Sequence, residues 1–199
     1  MILHAVADPD SPRSESGVSV TRTALGSQRV ELWGVMPLGW LGNFTRGCTR
    51  IGLDIVRGVA RRGTARRWIA DFELRESGDA QGDPIDFLAL AREPSESPPP
   101  VALEIQGFDL LRSSERIGSL ELQVRAKDRV GFLASLLEHL VGFVLFPEEI
   151  SIETFQGQAR DALWLSSVGG QSPAPEIEGA LRRSLVECVR ETASLLPGA

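Results

Sequence analysis

Hydrophobic and polar residues alternate from Leu120 to Arg125, with Leu120, Leu122 and Val124 on one side and Glu121, Gln123 and Arg125 on the other. A period of two predicts a strand with one face in a core. Lys127, Asp128, Arg129, Val130 and Gly131 interrupt the pattern as a tight polar turn. Leu133, Leu136, Leu137, Leu140, Val141 and Val144 then recur at the spacing of one helical stripe, which predicts a helix covering that core. After Pro147 the alternation returns, with Ile150, Ile152 and Thr154 facing one way and Ser151, Glu153 and Phe155 the other. Gly157 falls where a hairpin needs positive φ, and Ala159–Val168 is predicted to run back as the paired strand.

The same order is written nearer the N-terminus. Val18 and Val20 alternate with Ser19 and Thr21, Gly26 and Ser27 supply a turn, and Val30, Leu32 and Gly34 alternate with Glu31, Trp33 and Val35. Leu41, Phe44, Cys48 and Ile51 trace a helix stopped by Gly52. Leu53–Ala60 reads as a strand, Gly63 as a hairpin turn and Ala65–Leu74 as the partner strand. Laying Gly39 over Gly131 brings Val30 onto Leu122, Leu32 onto Val124, Leu41 onto Leu133 and Phe44 onto Leu136. Two extra residues in the second copy then bring Gly63 onto Gly157 and Ala65 onto Ala159. A repeat of about ninety residues is too long for a solenoid and suits two tandem domains.

A preceding strand belongs to each copy, Val18 and Val20 in the first and Val101, Leu103 and Ile105 in the second, so each unit is expected to run β-β-α-β-β-α. Residues 1–16 read as a tail or an edge strand. Gly78–Asp83 is turn material, and Pro84–Ala91, with Ile85, Leu88 and Ala91, reads as a short second helix. Glu93–Pro100 holds four prolines and is the expected linker, leaving domains at 1–92 and 101–199. Ile177, Leu181, Leu185, Cys188, Thr192 and Leu196 predict a long final helix from about Pro175. The fold class expected is α/β of the α+β kind, with four-stranded antiparallel sheets and helices on one face of each.

Composition narrows the chemistry. With 42% hydrophobic and 24% charged residues, the 199-residue chain has the make-up of an ordinary soluble domain pair. A net charge of −6 argues against nucleic acid as the main partner. Cys48 and Cys188 are each expected on a buried helix stripe as isolated thiols, and His4 and His139 are too few for a zinc cluster of ordinary spacing. Residues 1–20 lack a signal-peptide pattern and no stretch has the length of a membrane span, so a cytoplasmic protein is expected. Lys127 is the only lysine among 21 basic residues, a bias read as that of a GC-rich, bacterial genome.

Asp128-Arg129-x-Gly131-x-Leu133 at a strand-to-helix turn, followed by Ile152-x-Thr154-x-x-Gly157-x-Ala159-x-Asp161 across a hairpin, resembles the ACT domain. In particular it resembles the tandem sensory repeats at the C-terminal end of bacterial uridylyltransferase/uridylyl-removing nitrogen sensors. This chain has Val130 where the family usually has Pro, and Phe132 where it usually has Leu. The resemblance implies tandem ferredoxin-like units, a regulatory role in nitrogen metabolism and an amino-acid-like ligand. It places that ligand at Asp128, Arg129, Gly131, Phe132 and Leu133, faced by Asp54–Arg57 with Asp54 and Arg57 as contacts. Asp128 would hold the ligand amine, backbone N–H groups near Gly131 its carboxylate, and Arg57 a polar side chain. The plainer reading is that Asp128 caps the helix and Gly131 merely turns the chain. In the first unit the matching turn is Met36-Pro37-Leu38-Gly39-Trp40, which lacks the acid and is expected to keep the fold without a ligand.

No nucleophile elbow, phosphate loop or dinucleotide turn is present, and nothing matches the catalytic domains of those sensors, so neither an enzyme nor a cofactor is expected. Arg57, Arg61, Arg62, Arg66 and Arg67 cluster on the first hairpin, giving the alternative of a ligand-free interaction module that docks an acidic protein. An RNA-binding sandwich is disfavoured because Glu121, Gln123 and Glu153 take the outward strand positions. Trp33, Trp40, Trp68 and Trp164 are assigned to packing, with Trp40 as a filler of the first unit's vestigial site. Internal pairing of the two units, as a monomer or a homodimer, completes the expectation.

Overall fold

Val30 and Leu32 turn into a core, while Glu31 and Trp33 lie on the more open side, as alternation dictates. The computed structural model describes residues 15–24, 26–76, 84–94, 102–114 and 116–195. The chain divides into two units, Met1–Pro98 and Pro99–Ala199, with the division inside the proline-rich stretch. Among the described residues there are eight strands, each paired antiparallel with its neighbours in its own unit, and four helices, an α+β architecture.

The first unit comprises β1 (Gly17–Arg22), β2 (Gln28–Val35), α1 (Trp40–Arg50), β3 (Leu53–Arg62), β4 (Arg67–Glu76) and α2 (Phe87–Arg92), with strand order β1-β2-β4-β3. Its core is aromatic. Phe44 of α1 stacks on Phe72 of β4 at 4.9 Å, Trp40 meets Trp68 edge-on at 5.2 Å, and Phe87 of α2 lies 6.4 Å from Phe44. Gly58 makes room for this packing, because a Cβ there would lie 2.2 Å from Phe72 Cδ1. On the open face the Arg29 guanidinium grips Asp71 with two hydrogen bonds, of 2.9 and 2.5 Å. Asp86 caps α2 by accepting from the N–H groups of Leu88 and Ala89.

The second unit comprises β5 (Ile105–Arg112), β6 (Leu120–Lys127), α3 (Phe132–Val141), β7 (Leu145–Phe155), β8 (Gln158–Ser167) and α4 (Pro175–Leu195), ordered β5-β6-β8-β7. Its core is mainly aliphatic, with Leu122, Leu136, Leu140, Leu163, Leu165, Leu181 and Leu185 fully buried. Gln156 and Gly157 both take positive φ, 52° and 73°, which is the two-residue turn whose twist suits a hairpin. Helix α4 is tied down by polar contacts. Arg182 donates to the Leu110 carbonyl at 2.7 Å, Arg112 pairs with Glu178 at 3.0 Å, and Ser184 Oγ lies 3.2 Å from His139 Nε2 on α3.

Several expectations are corrected. Val18 and Val20 form β1 but remain 36% and 49% exposed, so alternation there does not bury a face. The first strand of the second unit starts at Ile105 and runs to Arg112, with Leu103 ahead of it. The α3 stripe stops short of Val141 and Val144, which are half exposed, and Val144 turns the chain with φ 58°. Helix α2 opens at Phe87 and buries Phe87 and Ala91, leaving Ile85 outside it. Cys48 is buried, whereas Cys188 is only partly so. Residues 1–14, Gly78–Asp83, 95–101 and Leu196 lie outside the described residues.

Strand pairing also corrects the register of the repeat. Val30 pairs with Phe72, and its counterpart Leu122 pairs with Leu163; Leu32 pairs with Ala70, and Val124 with Asp161. Gly58 and Ala60 face Phe72 and Ala70 just as Ile150 and Ile152 face Leu163 and Asp161. The copies therefore stay ninety-two residues apart through β3 and β7, and the second hairpin is one residue shorter, not two longer. Trp68, not Ala65, corresponds to Ala159. Gly63 has φ −101°, and the positive φ values of the first hairpin fall on Ala65 and Arg66.

Candidate ligand site in the second unit

After β6 the chain must reverse into α3 within four residues, and two backbone hydrogen bonds fix how it does so. Asp128 N–H donates to the Gly157 carbonyl at 2.9 Å, tying the turn to the β7–β8 hairpin. Phe132 N–H donates to the Arg129 carbonyl at 3.0 Å, closing the turn on itself. Gly131, with φ 88°, is the N-cap of α3 and adopts a left-handed conformation that a side chain would strain. Gly131 has no side chain with which to cap the helix, and the first turn holds no acid. Backbone N–H groups at such a helix start are suited to a carboxylate or phosphate.

The remaining expected contacts divide by burial. Arg129 forms an ion pair with Glu104. Phe132 and Leu133 are 4% and 9% exposed, so their side chains belong to the core, and the Phe132 N–H expected to face a ligand carboxylate is taken by the Arg129 carbonyl. Asp54 is buried on β3 and paired with Arg75 at 3.1 Å, while Arg57 is exposed beside the bulge between Ile55 and Arg57.

The residue that sequence reasoning did not assign to the site is Asp161. It lies on the core-facing side of β8 opposite Val124 and Ile152, is 4% exposed, and its Oδ1 has no hydrogen-bond partner. Its pKa is raised to about 7, chiefly by burial and then by the charge of Asp128, with the Glu153 backbone working the other way. The two carboxyl groups therefore stand within electrostatic reach of each other. A signal was available in the sequence, because Asp161 falls between Ala159 and Leu163 on the apolar side of an alternating strand.

The first unit supplies an internal control. Its α1 also starts at a left-handed glycine, Gly39 with φ 80°, and also lacks a side-chain cap. At the positions of Asp128 and Asp161 it has Met36 and Ala70, which are 3% and 0% exposed. Trp68 stands in place of Ala159 and packs on Trp40, whose indole N–H is buried without a partner. The first copy has replaced two acids by apolar groups and put an indole where the second has a methyl.

Among the described residues no cluster of three His, Cys, Asp or Glu side chains is arranged to hold a metal ion, and no helix is long and apolar enough to cross a membrane. The chain matches no family model, no curated protein and no solved structure.

Proposed function

We propose that the chain is a non-catalytic regulatory module of two ACT-like units, in which the second binds a small amino-acid-like ligand and the first keeps the fold without one. The observation that carries this reading is the Asp128 turn: an acid beside a helix start at a left-handed glycine, replaced in the first copy by buried Met36. An amino acid presents an ammonium group and a carboxylate together, and this turn pairs an acid with backbone donors. Support for the ACT-like, ferredoxin-like reading comes from strand order. Taken from β2 or β6, each unit runs strand, helix, strand, strand, helix, with the preceding strand beside the first, as in a permuted β-α-β-β-α-β motif. By the same resemblance the setting is bacterial, cytoplasmic nitrogen metabolism.

A thermal-shift screen of the full chain against the twenty amino acids and common nucleotides tests the proposal. A shift of several degrees with an amino acid supports it, and a flat response at millimolar concentration removes it. The second reading, a ligand-free module docking an acidic protein, is favoured by the exposure of Arg57, Arg61 and Arg66 in a chain of net charge −6. It takes over if the screen is flat.

A further inference from the structure

We propose that the first unit holds an open seat along β1 for a helix, and that the seat takes an amphipathic helix of a partner protein built like this chain's own α4. The seat belongs to the unit without the ligand site and does not depend on that site. Equivalent residues of β1 and β5 follow from their pairing. Val20 pairs with Val30 as Leu110 pairs with Leu122, Val18 with Leu32 as Phe108 with Val124, and Arg22 with Gln28 as Arg112 with Leu120. Gly17 and Gly107 complete the match, opposite Trp33 and Arg125.

The second copy shows what belongs on this side of the strand. Helix α4 packs along β5, burying Leu181 and Leu185 fully and leaving Leu110 1% exposed. Two polar contacts fix it there: Glu178 pairs with Arg112 at 3.0 Å, and Arg182 donates to the Leu110 carbonyl at 2.7 Å. In the first copy the six-residue α2 packs chiefly on α1 and reaches β1 only marginally. Residues directly opposite in a pair share a face, so Val18 and Val20 lie on the side where Leu32 and Val30 are buried. Val20 is nevertheless 49% exposed at the place where Leu110 is covered. Arg22 stands exposed where Arg112 binds its acid.

The arginine narrows the occupant. Apolar side chains exposed on a face that is covered elsewhere invite a helix laid on its apolar side, and Arg22 asks that helix for an acid. The matching helix carries two apolar residues four apart, as Leu181 and Leu185 are, and an acid three positions before the first, as Glu178 is. Those positions share one helix face. A second copy's β1 fits less well, because Gly17–Arg22 contains no acid to meet Arg22.

The probe is a fluorescent peptide with the sequence Pro175–Leu195, titrated with the full chain and read by anisotropy. The expected result is saturable binding of one peptide per chain, weakened about tenfold or more by Val20→Asp and by Arg22→Glu in the chain. A peptide carrying Glu178→Arg should recover part of the Arg22→Glu loss. A peptide carrying Leu181→Asp and Leu185→Asp should fail to bind the wild-type chain, a result that needs no variant of the chain to fold. Absence of binding, binding that Val20→Asp and Arg22→Glu leave unchanged, or equal binding of the doubly substituted peptide overturns the seat. Light scattering that shows the chain dimerising, and Val20→Asp abolishing the dimer, would give the surface to a second copy and overturn the partner helix.

Discussion

Asp161 of β8 occupies the register position that Ala70 holds in β4: Asp161 faces Val124 and Ile152, and Ala70 faces Leu32 and Ala60. One position, equally deep in both copies, thus carries an acid in one and a methyl in the other. The acid has a consequence for stability. Its pKa is raised from 3.8 to about 7 on folding, so between those values the folded chain binds more protons than the unfolded one and stability falls as pH rises. The stability is fully present below pH 3.8 and is lost as pH climbs through about 7. From pH 5 to pH 8 the loss from this group is roughly 2.5 kcal/mol. Urea titrations at the two pH values should show that loss in the wild type and not in Asp161→Asn. Parallel profiles for the two proteins would show that Asp161 titrates as an ordinary carboxylate.

Gly58 and Phe72 form a matched pair that the second copy solves differently, with Ile150 opposite Leu163. A Cβ on Gly58 meets Phe72 Cδ1 at 2.2 Å, so Gly58→Ala should cost about 1–3 kcal/mol by overpacking. Replacing both residues by the second copy's pair, Gly58→Ile with Phe72→Leu, should recover much of the loss. Denaturant midpoints of the single and double variants check this, and strictly additive effects would contradict it.

Helix α2 has six residues, too few to persist on intrinsic propensity. Its start depends on Asp86 Oδ1 accepting from Leu88 and Ala89 at 3.0 and 2.9 Å. Asp86→Ala should cost about 1 kcal/mol, read as a lower urea midpoint, while Asp86→Asn should cost less.

The two cysteines should differ in reactivity. Cys48 has no solvent exposure and burial pushes its thiol pKa far up, while Cys188 is partly exposed with a smaller upward push from burial and Glu191. A disulfide-exchange reagent should therefore label one thiol per chain in the native state, at Cys188, and the second only on unfolding. Cys188→Ser should abolish the native signal.

Strands and helices on strong periods were legible in the sequence: β6 and β2 follow their alternation, and α4 begins at the expected Pro175. What was not legible depended on partners distant in sequence. Val18 and Val20 alternate correctly yet stay exposed, because a sequence period says that a face exists and not that something covers it. The hairpin register went astray because Gly63 was matched to Gly157 by residue type, whereas Ala65 and Arg66 carry the left-handed backbone. Asp128 and Gly131 were readable from their spacing, but the depth of Asp161 is a property of pairing with Val124 and Ile152.

The most direct measurement of the central claim is the ligand-induced shift in melting temperature of three proteins: wild type, Asp128→Ala and Met36→Ala. A bound amino acid at a hundred times its dissociation constant stabilises the fold by about 2.7 kcal/mol, several degrees for a chain of this length. The site proposed at α3 predicts that shift in the wild type, its loss in Asp128→Ala, and its retention in Met36→Ala, whose turn in the first unit has no acid. A shift that survives Asp128→Ala, or that disappears with Met36→Ala instead, would contradict it.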